Sequence, residues 1–239
     1  MEKQGAKPMK SELIVALDVQ STPQAIAVME TLPSQILWYK IGLELYCSEG
    51  PAILNEALSR GKKIFLDLKL HDIPRTVERA VKAVASLGAD MLTIHSSGGR
   101  EMIRAAVEAA GASPKAPRIV AVTALTSLDT KDLQDLGIQR STADQVAALA
   151  ELALSSGAHG LVSSAQEVGA LRKRFGAQPI LITPGIRLPT DQVGDQKRVA
   201  TPAGAVRDGA SFLVVGRPIL DAAEPTEAAR RILADMEPA

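Results

Sequence analysis

Disulfide chemistry is closed to this chain, because Cys47 is the only cysteine among its 239 residues. One thiol can form neither an intrachain bridge nor a Cys-based metal site, and this usage fits a reducing cytoplasm. Net charge is missing too: 27 Lys and Arg offset 27 Asp and Glu, a formal +0. A balanced chain projects no long-range field toward nucleic acid or an anionic membrane. An anionic ligand therefore has to be caught by a local group of cations and amides. No apolar run is long enough to span a bilayer. The stretch 1–12 is polar, so it reads as an extension and not as a signal peptide. A Gly-rich dinucleotide fingerprint, a His–carboxylate cluster at metal spacing, an internal repeat and a low-complexity segment are all lacking. The expectation is a protein that uses no metal and no other cofactor.

What the chain does have is an apolar fraction of 46%, enough for a sizeable core. The length suits one α/β domain, expected over 13–239. Short apolar runs read as strands at 13–18, 37–41, 63–68, 91–95, 119–124, 160–163, 180–183 and 212–215. Several are almost continuously apolar, as parallel strands covered on both faces should be. Helical stretches lie between them, among them 23–32, 51–60, 75–87 and 142–156. Gly61, Gly88, Gly157 and Gly209 stand where helices should stop, and Pro23, Pro51 and Pro74 near helix starts. Eight such units predict a (β/α)₈ barrel, with a doubly wound sheet as the second choice. The spacing is uneven: 125–140 and 184–210 are long connections, and such connections are often functional.

In a barrel of this kind, chemistry gathers where the strands end. Asp18 closes the first run, and Lys40 lies in the second. Asp67 and Lys69 close the third, with Asp72 just beyond. His95 ends the fourth, Thr126 and Ser127 follow the fifth, Pro184 to Arg187 follow the seventh, and Gly216 and Arg217 follow the eighth. Residues two apart on a strand share a face, so Asp67 and Lys69 point together while Leu66 and Leu68 point away. The plainer reading is a buried structural ion pair. Five charges at accessible strand ends exceed what stability requires, which favours a catalytic cluster.

These residues carry a resemblance. The run FLDLKLHDIPRTV, with D-x-K-x-x-D at Asp67, Lys69 and Asp72, resembles the signature of the orotidine 5′-phosphate decarboxylase family. LIVALD, WYKIG, VTALTS, TPGIR, DQKRVATP and VVGRPI follow that family's other motifs in order, from Leu13 to the C-terminus. The D-x-K-x-x-D core is shared with related barrel enzymes, and specificity rests on the full set.

The resemblance implies a cofactor-independent enzyme that converts orotidine 5′-phosphate to uridine 5′-phosphate and carbon dioxide, the last step of de novo pyrimidine synthesis. It implies that Lys69 protonates carbon 6 and that Asp67 lies beside the substrate carboxylate. It also implies a homodimer in which Asp72, Ile73 and Thr76 reach the neighbouring site. Asp18 and Lys40 match ribose contacts, while Thr126 and Ser127 match pyrimidine-side contacts with Pro184 as a wall. Arg217 and Gly216 match the phosphate site. Arg187 and Gln196 match its partners on a loop, 188–200, that would close as a lid.

Other conspicuous residues read more plainly. His95 is expected to stand behind the substrate contacts, and His71 to be structural or interfacial. His159 has no metal partner, and Cys47 and Trp38 are expected to pack. The nearest rival is a magnesium-dependent sugar-phosphate enzyme on the same barrel, which would need an acidic residue near the second strand; Glu44 is the candidate. A silent nucleotide-phosphate-binding barrel is the rival of another class.

Overall fold

The structure, a computed structural model, describes residues 11–188 and 200–237. Eight parallel strands close on themselves in sequence order. They are β1 (Glu12–Ala16), β2 (Trp38–Gly42), β3 (Lys63–Leu70), β4 (Met91–His95), β5 (Arg118–Val122), β6 (Gly160–Val162), β7 (Ile180–Thr183) and β8 (Phe212–Val215). β8 returns to β1 through pairs such as Leu13 with Leu213. The helices are α1 (Thr22–Thr31), α2 (Leu43–Glu49), α3 (Ala52–Ser59), α4 (Pro74–Ala85), α5 (Gly99–Gly111), α6 (Thr130–Asp135), α7 (Thr142–Ser155), α8 (Ala165–Phe175), α9 (Pro202–Arg207), α10 (Arg217–Leu220) and α11 (Pro225–Asp235). This is the expected (β/α)₈ barrel, and the doubly wound alternative falls because the sheet closes.

Strand alternation divides the core in two. Ile14, Phe65, Met91, Val120, Ile182 and Val214 fill the barrel interior. Their neighbours Val15, Leu66, Leu92, Ile119, Leu181 and Leu213 belong to the larger layer between barrel and helices. Trp38 fills the end of the barrel where the strands begin, its ring edge-on to Phe212 at 5.1 Å. Its indole N–H donates to the Glu12 carboxylate at 3.1 Å, and Lys63 and Arg118 lie over its ring. These side chains fill the strand-start end of the barrel.

Strand limits differ from the sequence expectation by one or two residues. β1 starts at Glu12, inside the stretch read as an extension, and Ser11 is tied to the Ala210 carbonyl at 2.6 Å. β1 ends at Ala16, so Asp18 stands two residues past the strand and does not close it. The connection 125–140 contains α6, which begins in a reciprocal capping box between Asp129 and Asp132. Gly61, Gly88, Gly157 and Gly209 all take positive φ where helices stop, as expected.

Gly160 is needed for a different reason. A Cβ there would lie 2.3 Å from the Ile180 carbonyl oxygen and 2.6 Å from the Ile180 Cβ, inside the β6–β7 pairing. The obstacle is backbone and cannot swing aside. Gly160→Ala should lower unfolding free energy by about 1–3 kcal/mol, as overpacking does. Gly111→Ala, with nothing within 4 Å of the added atom, should be neutral or stabilising. Urea titration of both variants checks this; equal stability of the two would refute the β6–β7 approach.

Candidate active site

A cavity of about 240 Å³ opens at the C-terminal mouth of the barrel. Nine of the sequence-predicted residues line it: Asp18, Lys40, Asp67, Lys69, Thr126, Pro184, Arg187, Gly216 and Arg217. They come from strand ends far apart in sequence, and closure of the sheet brings them together. Phe65, Val122, Val162 and Val214 form an apolar wall among them.

Along one side runs a row of alternating charge. Asp18 pairs with Lys40 at 2.9 Å, Lys40 lies 3.9 Å from Asp67, and Asp67 holds Lys69 at 2.8 Å. Asp67 is buried, and its carboxylate would be costly there without two cations and a hydroxyl around it. The hydroxyl is that of Thr93, which donates to Asp67 Oδ1 at 3.0 Å. Lys69 keeps more of its side chain exposed than Asp67, at 30% against 11%. The row thus presents the Lys69 ammonium to the cavity with the less exposed Asp67 carboxylate beside it. Two glycines lie close to the row: a Cβ on Gly42 would meet Lys40 Nζ at 2.7 Å, and one on Gly216 would meet Asp18 Oδ2 at 3.1 Å, so either added atom would displace a charged side-chain end from its place in the row.

The backbone of β3 is irregular at this point. Lys69 has φ 50, the one positive φ of a non-glycine among the described residues. β3 pairs with β4 through Phe65–Met91 and Leu66–Leu92, then loses register until Leu70–Ile94. The alternation expected for Asp67 and Lys69 holds in its result, since both side chains meet. It is reached through this irregularity and not through a regular strand.

The remaining expected residues stand elsewhere. Ser127 is exposed and does not line the cavity. The run from His71 to Thr76 is exposed throughout, with Ile73 at 66%. Within the chain, the Asp72 carboxylate accepts from the Ile73 N–H at 2.6 Å. Gln196 and most of the loop 188–200 lie outside the described residues. The ends of that loop are joined beside the cavity, where Arg187 N–H donates to the Ala200 carbonyl at 2.9 Å. Glu44 is exposed in the first turn of α2 and does not line the cavity. Among the described residues no group of three or more His, Cys, Asp or Glu could hold a metal ion.

Sequence reasoning missed Phe65, Val122, Val162, Ser163 and Val214 on the cavity wall, and Thr93 behind it. Period-two alternation could have flagged Thr93, a polar residue sharing its face with Met91 in an otherwise apolar strand. Trp38 packs as expected, but Cys47 is exposed on α2, because the short helix turns that position outward. His159 Nδ1 accepts from the Ile119 N–H at 3.0 Å, a structural bond. The His95 ring lies 5.3 Å from that of His71, tilted to it by 40°, and does not line the cavity.

A parallel barrel with an acid–base row and two arginines at the C-terminal mouth defines a (β/α)₈ enzyme built for a small anionic substrate. Comparison with known proteins narrows the class. Residues 11–232 match the family described as Orotidine 5′-phosphate decarboxylase / HUMPS. The orotidine 5′-phosphate decarboxylase of Paramagnetospirillum magneticum is 48% identical over 235 residues, spanning 95% of this chain and 99% of its own. That of Fusobacterium nucleatum is 44% identical over 227 residues, 94% of this chain and 95% of its own. The crystal structure of the Lactobacillus acidophilus decarboxylase superposes with a TM-score of 0.85 at 36% identity, covering 95% of this chain and all of that one. The chain belongs to the orotidine 5′-phosphate decarboxylase / HUMPS family.

Two imidazoles make stability pH-dependent. Burial pushes His95 below the ordinary histidine range, helped by His71 and Lys69 nearby, and burial does the same to His159. The unfolded chain takes up these protons near the ordinary value of about 6.5, whereas the fold resists them. Their stabilisation is therefore full above about pH 6.5 and is lost as pH falls toward the folded values. Unfolding free energy should decline on acidification from pH 7, and a His95→Asn, His159→Asn double variant should show a flatter slope. Identical slopes would mean that both rings protonate freely in the fold.

Proposed function

We propose that this protein is the decarboxylase of its family, converting orotidine 5′-phosphate to uridine 5′-phosphate and carbon dioxide with Lys69 as the acid. The observation that carries this reading is the Lys69 ammonium, held 2.8 Å from a buried Asp67 and lining the cavity. Breaking the bond from carbon 6 to the carboxylate leaves the electron pair on carbon 6. The Lys69 ammonium offsets that charge and then gives it a proton. Lysine regains its proton from solvent. Asp67, fixed as an anion beside the departing carboxylate, loses its repulsion as carbon dioxide leaves.

The same reading assigns the other positions. Asp18 and Lys40 bind the ribose hydroxyls, and Arg217, the Gly216 backbone, Arg187 and Gln196 hold the phosphate, since guanidinium groups match phosphate with paired bonds. Thr126 and Ser127 face the pyrimidine, with Pro184 as the wall. The phosphate binds far from carbon 6, and its binding energy serves to position the ring. No step draws on a metal or cofactor. The working form is a homodimer, and the exposed run with Asp72, Ile73 and Thr76 enters the partner's site. Exposure of Ile73 at 66% supports this, because a large apolar side chain gains from being covered. The reaction yields the nucleotide that ends de novo pyrimidine synthesis, which suits the cytoplasm.

Purified protein should decarboxylate orotidine 5′-phosphate equally with and without chelator. A strict need for added metal would favour the sugar-phosphate rival, and binding without turnover the silent barrel. Lys69→Ala should lose more than about 10⁴-fold in kcat, beyond the usual general-acid contribution, and still bind uridine 5′-phosphate. Mixing Lys69→Ala with Asp72→Ala homodimers under subunit exchange should restore activity, because one site of each heterodimer then carries neither change. Failure to recover, with heterodimers proven, would place Asp72 in its own chain's site.

A further inference from the structure

We infer that Thr93 is a positioning residue for the acid–base pair, binding both Asp67 and Lys69 through one hydroxyl. The inference rests on the decarboxylase reading and adds a residue that touches neither substrate nor cavity. Thr93 lies in the middle of β4, facing the barrel interior with Met91 and fully buried. A hydroxyl there is unfavourable unless both its donor and its acceptor are used. Both are: Thr93 Oγ1 donates to Asp67 Oδ1 at 3.0 Å and accepts from the Lys69 backbone N–H at 2.8 Å.

The register explains why this residue stands there. Between the pairs Leu66–Leu92 and Leu70–Ile94, β3 advances four residues while β4 advances two. Asp67, Leu68 and Lys69 therefore face Thr93 alone. A ladder interrupted in this way leaves backbone groups without their strand partners. The Lys69 N–H is one, and the Thr93 side chain takes the place of the missing carbonyl. That bond also fastens Lys69 at φ 50, a conformation unfavourable to an ordinary side chain that persists only where its surroundings impose it. The other Thr93 bond occupies Asp67 Oδ1, which leaves Oδ2 to Lys69 Nζ. One hydroxyl thus fixes the backbone of the proton donor and the rotation of its counterion.

Because Thr93 does not line the cavity, its loss should reach catalysis through Asp67 and Lys69 and spare substrate affinity. Thr93→Val keeps the shape and removes the hydroxyl. Its kcat should fall about 10–100-fold, the range for a lost hydrogen bond to a charged group, with KM changed less than about threefold. Thr93→Ser retains the hydroxyl and should recover most of the loss. The Lys69 amide should exchange with solvent faster in the Val variant than in the wild type or the Ser variant. That readout follows the geometry whatever the enzyme turns over, so failure of the decarboxylase reading, seen as an inactive wild type, is distinguishable from failure of this one. Thr93→Ala measured in parallel carries the same expectation. A Val or Ala variant with native kcat, a Ser variant as impaired as Val, a loss confined to KM, or unchanged Lys69 exchange would each overturn the inference. Failure of both Val and Ala to fold would also overturn it, by making Thr93 a residue of stability alone.

Discussion

A buried carboxylate sets the terms for the rest of the cavity. Asp67 sits at the inner mouth of a barrel whose neighbouring inward positions are Phe65, Met91 and Val120. Its side chain is only 11% exposed, and an unpaired anion so far withdrawn from solvent would cost several kcal/mol. Lys69, Lys40 and Thr93 answer that cost, and each must arrive from a fixed direction. Lys40 comes from β2, Thr93 from β4, and Lys69 from the same strand two residues on. A cation held by such a need is also a cation held in place. Pre-organisation of the Lys69 ammonium follows from the desolvation of its partner.

The barrel supplies the remaining requirements by closing. Its strand-start end is filled by Trp38, Phe212 and the charged side chains around the indole. Its C-terminal mouth gathers Arg217 from the last strand end and Asp18 from the first into one cavity, because β8 pairs with β1. The charges divide accordingly: the acid–base row stands on the β1–β3 side, and two arginines follow β7 and β8. A substrate with a phosphate at one end and a reacting ring at the other fits that division.

Much of this was legible in the chain. Apolar runs of four to eight residues, broken by helical stretches and well-placed glycines, pointed to eight parallel βα units, and closure of the sheet decided for the barrel over a doubly wound sheet. Asp67 and Lys69 stood out because charged residues at alternate positions of an apolar strand need a reason. The resemblance of the surrounding motifs gave that reason, and nine of the residues it pointed to line one cavity. The slip between β3 and β4 was not legible, because register depends on the partner strand and not on either sequence alone. Thr93 is a related case: alternation in MLTIH marks it as a polar residue on the Met91 face, but only the pairing shows that it meets Asp67. The α6 helix was hidden in a stretch read only as a long connection, although Asp129 and Asp132 carry the cap that begins it.

The proposed decarboxylation requires that Lys69, set by Asp67 and by the irregular β3 backbone, face the carbon that loses carbon dioxide. A crystal structure of the protein with uridine 5′-phosphate tests it most directly. Lys69 Nζ should lie about 3–3.5 Å from carbon 6 of the ring, the separation of groups poised to react, with the phosphate on Arg217. A ring turned so that carbon 6 faces the apolar wall, with Lys69 bound to the ribose or the phosphate, would contradict it.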